Sequence, residues 1–238
     1  MRVEKLKALL ARLHALPRRR LTLVVGVDGL AASGKTTFTT ALAAADPGLD
    51  VVSVESFLEP DGRELPRRSA ADLIAAGLDW RRLRSQVLLP LGRDQAARYE
   101  VHHSPEGGSP LLRELPVGGI VLVEGLYACM AQLADLYDFR IWVECAADVR
   151  ELRLGRHPAG GERDNPEGGG SELDASPGES AYVSGHDPAA RADLLVDGSG
   201  SVAHDPESEY VRLSRWSSVP RRRPGGGTPP ARPPGGPL

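Results

Sequence analysis

The sequence predicts an α/β domain in three layers, with a mainly parallel five-stranded sheet flanked by helices. Short, nearly continuous apolar runs recur at residues 21–27, 51–54, 119–123, 140–145 and 192–197. Runs of that length without polar alternation fit strands buried on both faces of a parallel sheet. Stretches with helical spacing separate several of them, which is the alternation that parallel sheets need for their crossovers. Between the first run and the next helical stretch (residues 37–45) lies Gly29-Leu30-Ala31-Ala32-Ser33-Gly34-Lys35-Thr36.

That octapeptide matches the phosphate-binding pattern G-x-x-x-x-G-K-[ST] at every fixed position, in the strand–loop–helix context that gives the pattern meaning. Glycines let consecutive backbone N–H groups turn inward and form an anion-binding nest, and the following helix adds its positive end. The pattern makes Gly29, Ala31, Ala32, Ser33, Gly34, Lys35, Thr36 and Thr37 the candidate nucleotide-binding residues. Lys35 reaches the β- and γ-phosphates, and the Thr36 hydroxyl holds Mg²⁺. Lys35 is also the only lysine beyond the first seven residues, in a chain that otherwise uses arginine. The predicted fold is therefore that of a P-loop NTPase.

The other elements follow in order. Leu6, Leu9, Leu10, Leu13 and Leu16 recur at helical spacing, so residues 1–17 read as an amphipathic helix that ends at Pro17 and packs on the body. An amphipathic segment opens at Asp79-Trp80, carries Leu83, Val87 and Leu88, and stops at Pro90. Residues 126–137 and 148–156 have helical patterning. A Gly-, Pro- and acid-rich stretch at about 157–180 breaks the rhythm and reads as a lid-like mobile loop. The catalytic domain is expected over 18–215, followed by a disordered Arg/Pro/Gly tail over 216–238.

Composition sets the broad class. At 238 residues and 41% hydrophobic content the chain can bury one full core, and with 5% aromatics that core must rest mainly on Leu, Val and Ala. Net charge is −3, but the residues from Pro220 onward hold four arginines and no acid, leaving −7 on the body (25 basic, 32 acidic). An acidic body argues against a nucleic-acid surface. Cys129 and Cys145 fall in apolar stretches with no motif spacing and read as buried thiols. With no secretory leader and no membrane-length apolar run, the expected location is the cytoplasm. No metal-ligand cluster of the H-E-x-x-H or paired C-x-x-C kind is present.

Two omissions narrow the P-loop class. The sole asparagine, Asn165, is not in an N-K-x-D guanine-recognition pattern, and no L-S-G-G-Q segment marks a transporter ATPase. A small kinase remains. The chain resembles the uridine kinase/phosphoribulokinase family of P-loop kinases in Val27-Asp28-Gly29 through Phe38, Val54-Glu55-Ser56-Phe57, Leu78-Asp79-Trp80-Arg81-Arg82-Leu83, Ala97-Arg98-Tyr99, Val121-Leu122-Val123-Glu124-Gly125 and Asp193-Leu194-Leu195-Val196-Asp197. These pieces run in the family's order over about residues 20–198.

The resemblance implies an ATP- and Mg²⁺-dependent transfer of a γ-phosphoryl group to a hydroxyl, with a pyrimidine nucleoside 5′-OH as acceptor. It implies that Glu55, where the family usually carries Asp, contacts that hydroxyl and that Glu124 helps position Mg²⁺. Arg153 and Arg156, with Arg150 nearby, stand where lid arginines close over phosphate. Asp79, Tyr99 and His103 (or His102) stand near the acceptor pocket. Two alternatives stay open: a kinase of another metabolite alcohol, or an ATP-binding protein that has lost transfer. Oligomeric state is not readable.

Overall fold

A computed structural model describes residues 1–58, 78–101, 111–156 and 177–213. His102 and His103, most of the expected lid loop (157–176) and the tail (216–238) lie outside the described residues.

The sheet is built on strands β2 (Leu23–Asp28), β3 (Leu49–Ser53), β6 (Ile120–Glu124), β7 (Phe139–Glu144) and β8 (Leu194–Asp197). These five pair in parallel in the order β8-β7-β2-β6-β3. The central strands β2 and β6 are buried at every residue, which is why they read as unbroken apolar runs. The sheet is wider than the five strands expected. Two antiparallel strands, β1 (Arg2–Lys5) and β9 (Glu209–Arg212), extend it beyond β8 to seven. At four residues each, with charged side chains among the apolar ones, neither offers a periodicity that sequence reading could catch.

Helices cover both faces. Helix α1 (Leu6–His14) and helix α2 (Lys35–Ala45) lie on one face. Leu6, Leu9, Leu10 and Leu13 of α1 join Phe38 and Leu42 of α2 in a cluster with Val25, Ile141 and Tyr210 from the sheet. Leu9 and Leu13 are fully buried, which contributes about 2 kcal/mol each. On the other face, helix α3 (Trp80–Leu83) continues through a widened turn at Arg84–Leu88 into a last turn, α4 (Leu89–Leu91). Pro90 sits inside that last turn, so the segment passes through it by one residue instead of stopping there. This segment packs on a β4–β5 hairpin (Ala97–Val101 with Leu111–Leu115) that the sequence did not announce as strands. Helices α5 (Ala147–Arg156), α6 (Pro177–His186) and α7 (Pro188–Arg191) complete the set, so residues 177–180 of the expected loop begin a helix.

Further expectations change: residues 2–5 of the expected N-terminal helix form strand β1, and the helix itself ends at His14, before Pro17. Residues 126–137 form successive tight turns, not a helix. Tyr127 takes a left-handed backbone (φ 72), and the Cys129 amide goes to a side-chain carboxylate, Asp28, instead of an i−4 carbonyl. The core rests mainly on Leu and Val, as expected, and Tyr99, Tyr182, Tyr210 and Phe57 are also among its largest fully buried side chains. Scarce aromatics were placed where they fill the most volume. Among the described residues, no helix is long and apolar enough to cross a membrane.

One carboxylate gathers several side chains of the added edge. Glu4 of β1 accepts from the Tyr210 hydroxyl at 2.8 Å, from Arg212 Nε at 2.9 Å and from Arg12 of α1 at 2.9 Å. Burial pushes its pKa up, but the Tyr210 bond and the charges of Arg12 and Arg212 outweigh that and leave it below the usual value. A carboxyl depressed by folding contributes stability above its unfolded pKa of about 4.3 and loses it as pH falls through the folded value. Glu4→Ala should therefore lower unfolding free energy by about 2 kcal/mol at neutral pH. In urea titrations the gap from wild type should shrink as pH drops below about 4.

Candidate active site

Strand β2 delivers the chain to the carboxyl edge of the sheet, where ligand crevices of parallel α/β folds lie. Its last residue, Asp28, is fully buried. One carboxylate oxygen accepts from the Gly29 amide at 2.7 Å, and the other from the Cys129 amide at 2.8 Å and from the Tyr182 hydroxyl. Burial raises the Asp28 pKa, while these bonds and the nearby Lys35 charge oppose the rise. The loop then turns so tightly that a Cβ on Gly29 would stand 2.5 Å from the Val143 carbonyl oxygen. Gly34 takes φ 96, a conformation disfavoured for side-chain-bearing residues, and opens helix α2.

The loop amides divide into two groups. Those of Gly29, Ala31 and Ser33 are bonded within the protein, to Asp28, Glu179 and the Leu30 carbonyl. No acceptor among the described residues meets that of Leu30, nor those of Ala32, Gly34, Lys35, Thr36 and Thr37, which lead into helix α2. That second group, at the start of an eleven-residue helix, is the nest available to an anion.

Four of the sequence-nominated side chains gather there. Lys35 is 8% exposed, and its Nζ donates to the Leu30 carbonyl at 2.8 Å. Burial lowers its pKa, opposed by the charges of Asp28, Glu124 and Glu179. The Thr36 hydroxyl donates to Glu124 Oε2 at 3.5 Å. Glu124 is buried at the end of β6, in register with Val27 and Ser53 on either side. Its pKa is raised by burial and further by the Glu55 charge, against Lys35 and hydrogen bonds from Ser53 and Thr36. Glu55 is exposed in the tight turn Val54–Phe57 after β3. Paired oxygen donors from Thr36 and Glu124 suit Mg²⁺, which takes few protein ligands and completes its shell with water and phosphate.

The acceptor-side candidates are more dispersed. Asp79 caps α3, accepting from the Arg82 amide at 2.9 Å, and its own amide donates to Phe57, which puts it beside the Glu55 turn. Arg82 ties the same turn, donating to the Ser56 carbonyl and lying 4.7 Å over the Phe57 ring. Tyr99 is 1% exposed and stacks on Phe57 at 5.2 Å, so its ring supports the turn from below. Between β3 and the hairpin lies an open cleft of about 600 Å³ lined by Val51, Ser53, Ser56, Val101, Leu111 and Arg113. The Arg113 guanidinium stands 3.8 Å from Asp50, linking the hairpin to the sheet edge.

Helix α5 approaches the loop from the opposite side. Arg153 donates to the carbonyls of Ala32 at 3.0 Å and Gly198 at 2.8 Å, so its guanidinium is tied to backbone. Arg156 is the last residue of that helix. Arg150 is buried, donating to the Ala31 carbonyl at 2.9 Å and to Glu179 at 2.8 Å. Glu179, 3% exposed, also accepts from the Ala31 amide at 2.6 Å. Sequence reading did not nominate Asp28, Glu179 or Tyr182. Asp28 was detectable as the residue joining strand to loop, whereas Glu179 sits in a polar stretch without periodicity.

The strand order and the glycine loop define a P-loop α/β fold. The chain superposes on a possible uridine kinase from Bacillus stearothermophilus with a TM-score of 0.59. The two are 18% identical, over 80% of this chain and 96% of that one. A candidate fructose transport system kinase from Silicibacter sp. TM1040 gives a TM-score of 0.51 at 22% identity, over 64% of this chain and 81% of that one. The fold is thus the uridine kinase-like P-loop fold. No family model matches the chain. A curated relative, inorganic pyrophosphatase TTM2 of Arabidopsis thaliana, is 29% identical over 126 residues, 51% of this chain. The match spans 18% of that protein's length.

The raised Glu124 pKa has a checkable origin. Its second cause in the raising direction is the charge of Glu55. Glu55→Gln should therefore shift the Glu124 titration to lower pH in carboxyl ¹³C NMR of the nucleotide-free protein. An unmoved midpoint would mean that the two carboxylates do not share a field.

Proposed function

We propose that this chain is an ATP- and Mg²⁺-dependent phosphotransferase acting on the hydroxyl of a small molecule, with the 5′-OH of a pyrimidine nucleoside as first acceptor. The observation that carries the reading is the meeting of Lys35, the Thr36–Glu124 pair and Glu55 at one sheet edge, beside a half-apolar cleft. In this reading the open amides of residues 32 and 34–37 hold the phosphates. Lys35 exchanges its Leu30 carbonyl for a phosphate oxygen. Thr36 and Glu124 would hold Mg²⁺, which when bound offsets the charge of the transferred group.

Glu55 accepts the hydroxyl proton as the acceptor oxygen forms its bond to phosphorus and the bond to the leaving ADP oxygen breaks. Its extra methylene relative to aspartate sets how far the acceptor must sit from β3. Arg153 and Arg156 would neutralise charge on the transferred group, and for Arg153 that requires releasing the Ala32 and Gly198 carbonyls. Asp79 belongs to the acceptor side and the buried Tyr99 supports it through Phe57; the resemblance adds His103, outside the described residues, and the cytoplasm as the proposed site of action. A kinase of another alcohol keeps the same machinery and changes only the cleft.

Coupled ADP release against a panel of nucleosides, sugar phosphates and other alcohols, with ATP alone and pyrophosphate as controls, tests this. Uridine- or cytidine-dependent turnover supports the first acceptor, and turnover with another alcohol moves the assignment to it. Nucleotide binding with no acceptor-dependent turnover rejects transfer. Lys35→Ala should lower kcat/KM by roughly 10²-fold or more. Glu55→Gln should leave ATP affinity intact and cut kcat by about 10²–10⁴-fold. Full activity in Glu55→Gln would remove Glu55 from the proton transfer.

A further inference from the structure

Ala31 is gripped from outside the loop by both of its backbone groups. Arg150 Nε donates to its carbonyl at 2.9 Å, and Glu179 accepts from its amide at 2.6 Å. The two gripping side chains bond each other at 2.8 Å and are both buried, 8% and 3% exposed. The next residue, Ala32, takes φ 58, a left-handed conformation that costs a side-chain-bearing residue about 1 kcal/mol or more. Such a conformation persists where its surroundings impose it. Here they do: Arg153 holds the Ala32 carbonyl at 3.0 Å directly after the Arg150–Glu179 grip.

We infer that Arg150 and Glu179 are a positioning pair for the phosphate loop, holding Ala31 so that the amides after it face the phosphate site. The inference rests on the nucleotide-binding part of the proposed function. A buried ion pair is seldom the most stable filling for a protein interior, since well-packed apolar side chains of similar volume often serve as well or better. What this pair supplies is directional: one donor and one acceptor matched to one peptide unit on each side of Ala31. The unmet amides of Ala32, Gly34, Lys35, Thr36 and Thr37, which run into the helix start, all follow the held residue. Glu179 also reaches the loop from helix α6, which bonds Asp28 through Tyr182. Loop shape is thereby tied to the seating of a helix about 145 residues further along the chain.

The competing idea is that Glu179 imitates a phosphate and blocks the loop. Titration of the full-length chain with Mg·ATP separates the two, using Arg150→Met/Glu179→Leu, which replaces the pair by apolar side chains, and Glu179→Gln, which keeps an acceptor for the Ala31 amide. Positioning predicts roughly tenfold weaker binding in the double variant at near-wild-type melting temperature, with partial rescue in Glu179→Gln. It also predicts faster hydrogen exchange at the Ala31 and Ser33 amides of the nucleotide-free double variant. Unchanged affinity in a folded double variant overturns the inference, and so does tighter binding in either variant, the signature of a plug. If the double variant does not fold, Glu179→Gln decides alone, with intermediate affinity supporting positioning and wild-type or tighter affinity rejecting it. A wild-type chain that binds no nucleotide overturns the proposed function, and hydrogen exchange then judges the grip on the loop by itself.

Discussion

Asp28 ends the central strand with its carboxylate sealed from water, and three segments, two of them distant in sequence, converge on its two oxygens. They are the start of the glycine loop through Gly29, the turns after β6 through Cys129, and helix α6 through Tyr182. A buried carboxylate without such donors would cost several kcal/mol, so the three segments cannot drift apart without exposing that cost. The arrangement has a geometric corollary. Glu179 and Tyr182 are three residues apart on one helix and therefore share a face. The face that satisfies Asp28 is thus the face that carries Glu179 to Ala31.

The same neighbourhood explains why the chain breaks its arginine habit at Lys35. Three carboxylates, Asp28, Glu124 and Glu179, act on this ammonium and oppose the fall in pKa that burial causes. A compact ammonium on a flexible stem can donate to the Leu30 carbonyl and later swing to another oxygen. A planar guanidinium needs a matched fork of acceptors and does not trade partners so readily. Arginine is used instead where a fixed fork is wanted: Arg150 and Arg153 each donate to two partners around the loop.

How much was legible in the sequence depended on how local each signal is. The glycine loop is specified by spacing over eight residues, so its place between strand and helix could be read directly. The five parallel strands were legible because burial on both faces leaves no room for polar alternation. Residues 126–137 misled because apolar content at helical spacing was outvoted by the left-handed Tyr127 and by the pull of Asp28 on the Cys129 amide. Strands β1 and β9 depend on each other across 208 residues, through Glu4 and Arg212, and neither shows a pattern alone. Of the site, Lys35, Thr36, Glu55 and Glu124 came together from motif positions. Glu179 could not be foreseen, since its meaning lies wholly in a tertiary contact with Ala31.

The pairing of β1 with β9 sets Arg2 opposite Arg212, so residues near both limits of the described chain lie side by side on one rim of the sheet. The cleft by β3 is on the other rim, six strand spacings away, on the order of 30 Å. The described chain enters at Arg2 and leaves β9 at Arg212 on the rim away from that cleft. The sheet thus gathers entry and exit of the described chain at one edge and leaves the other edge to the cleft.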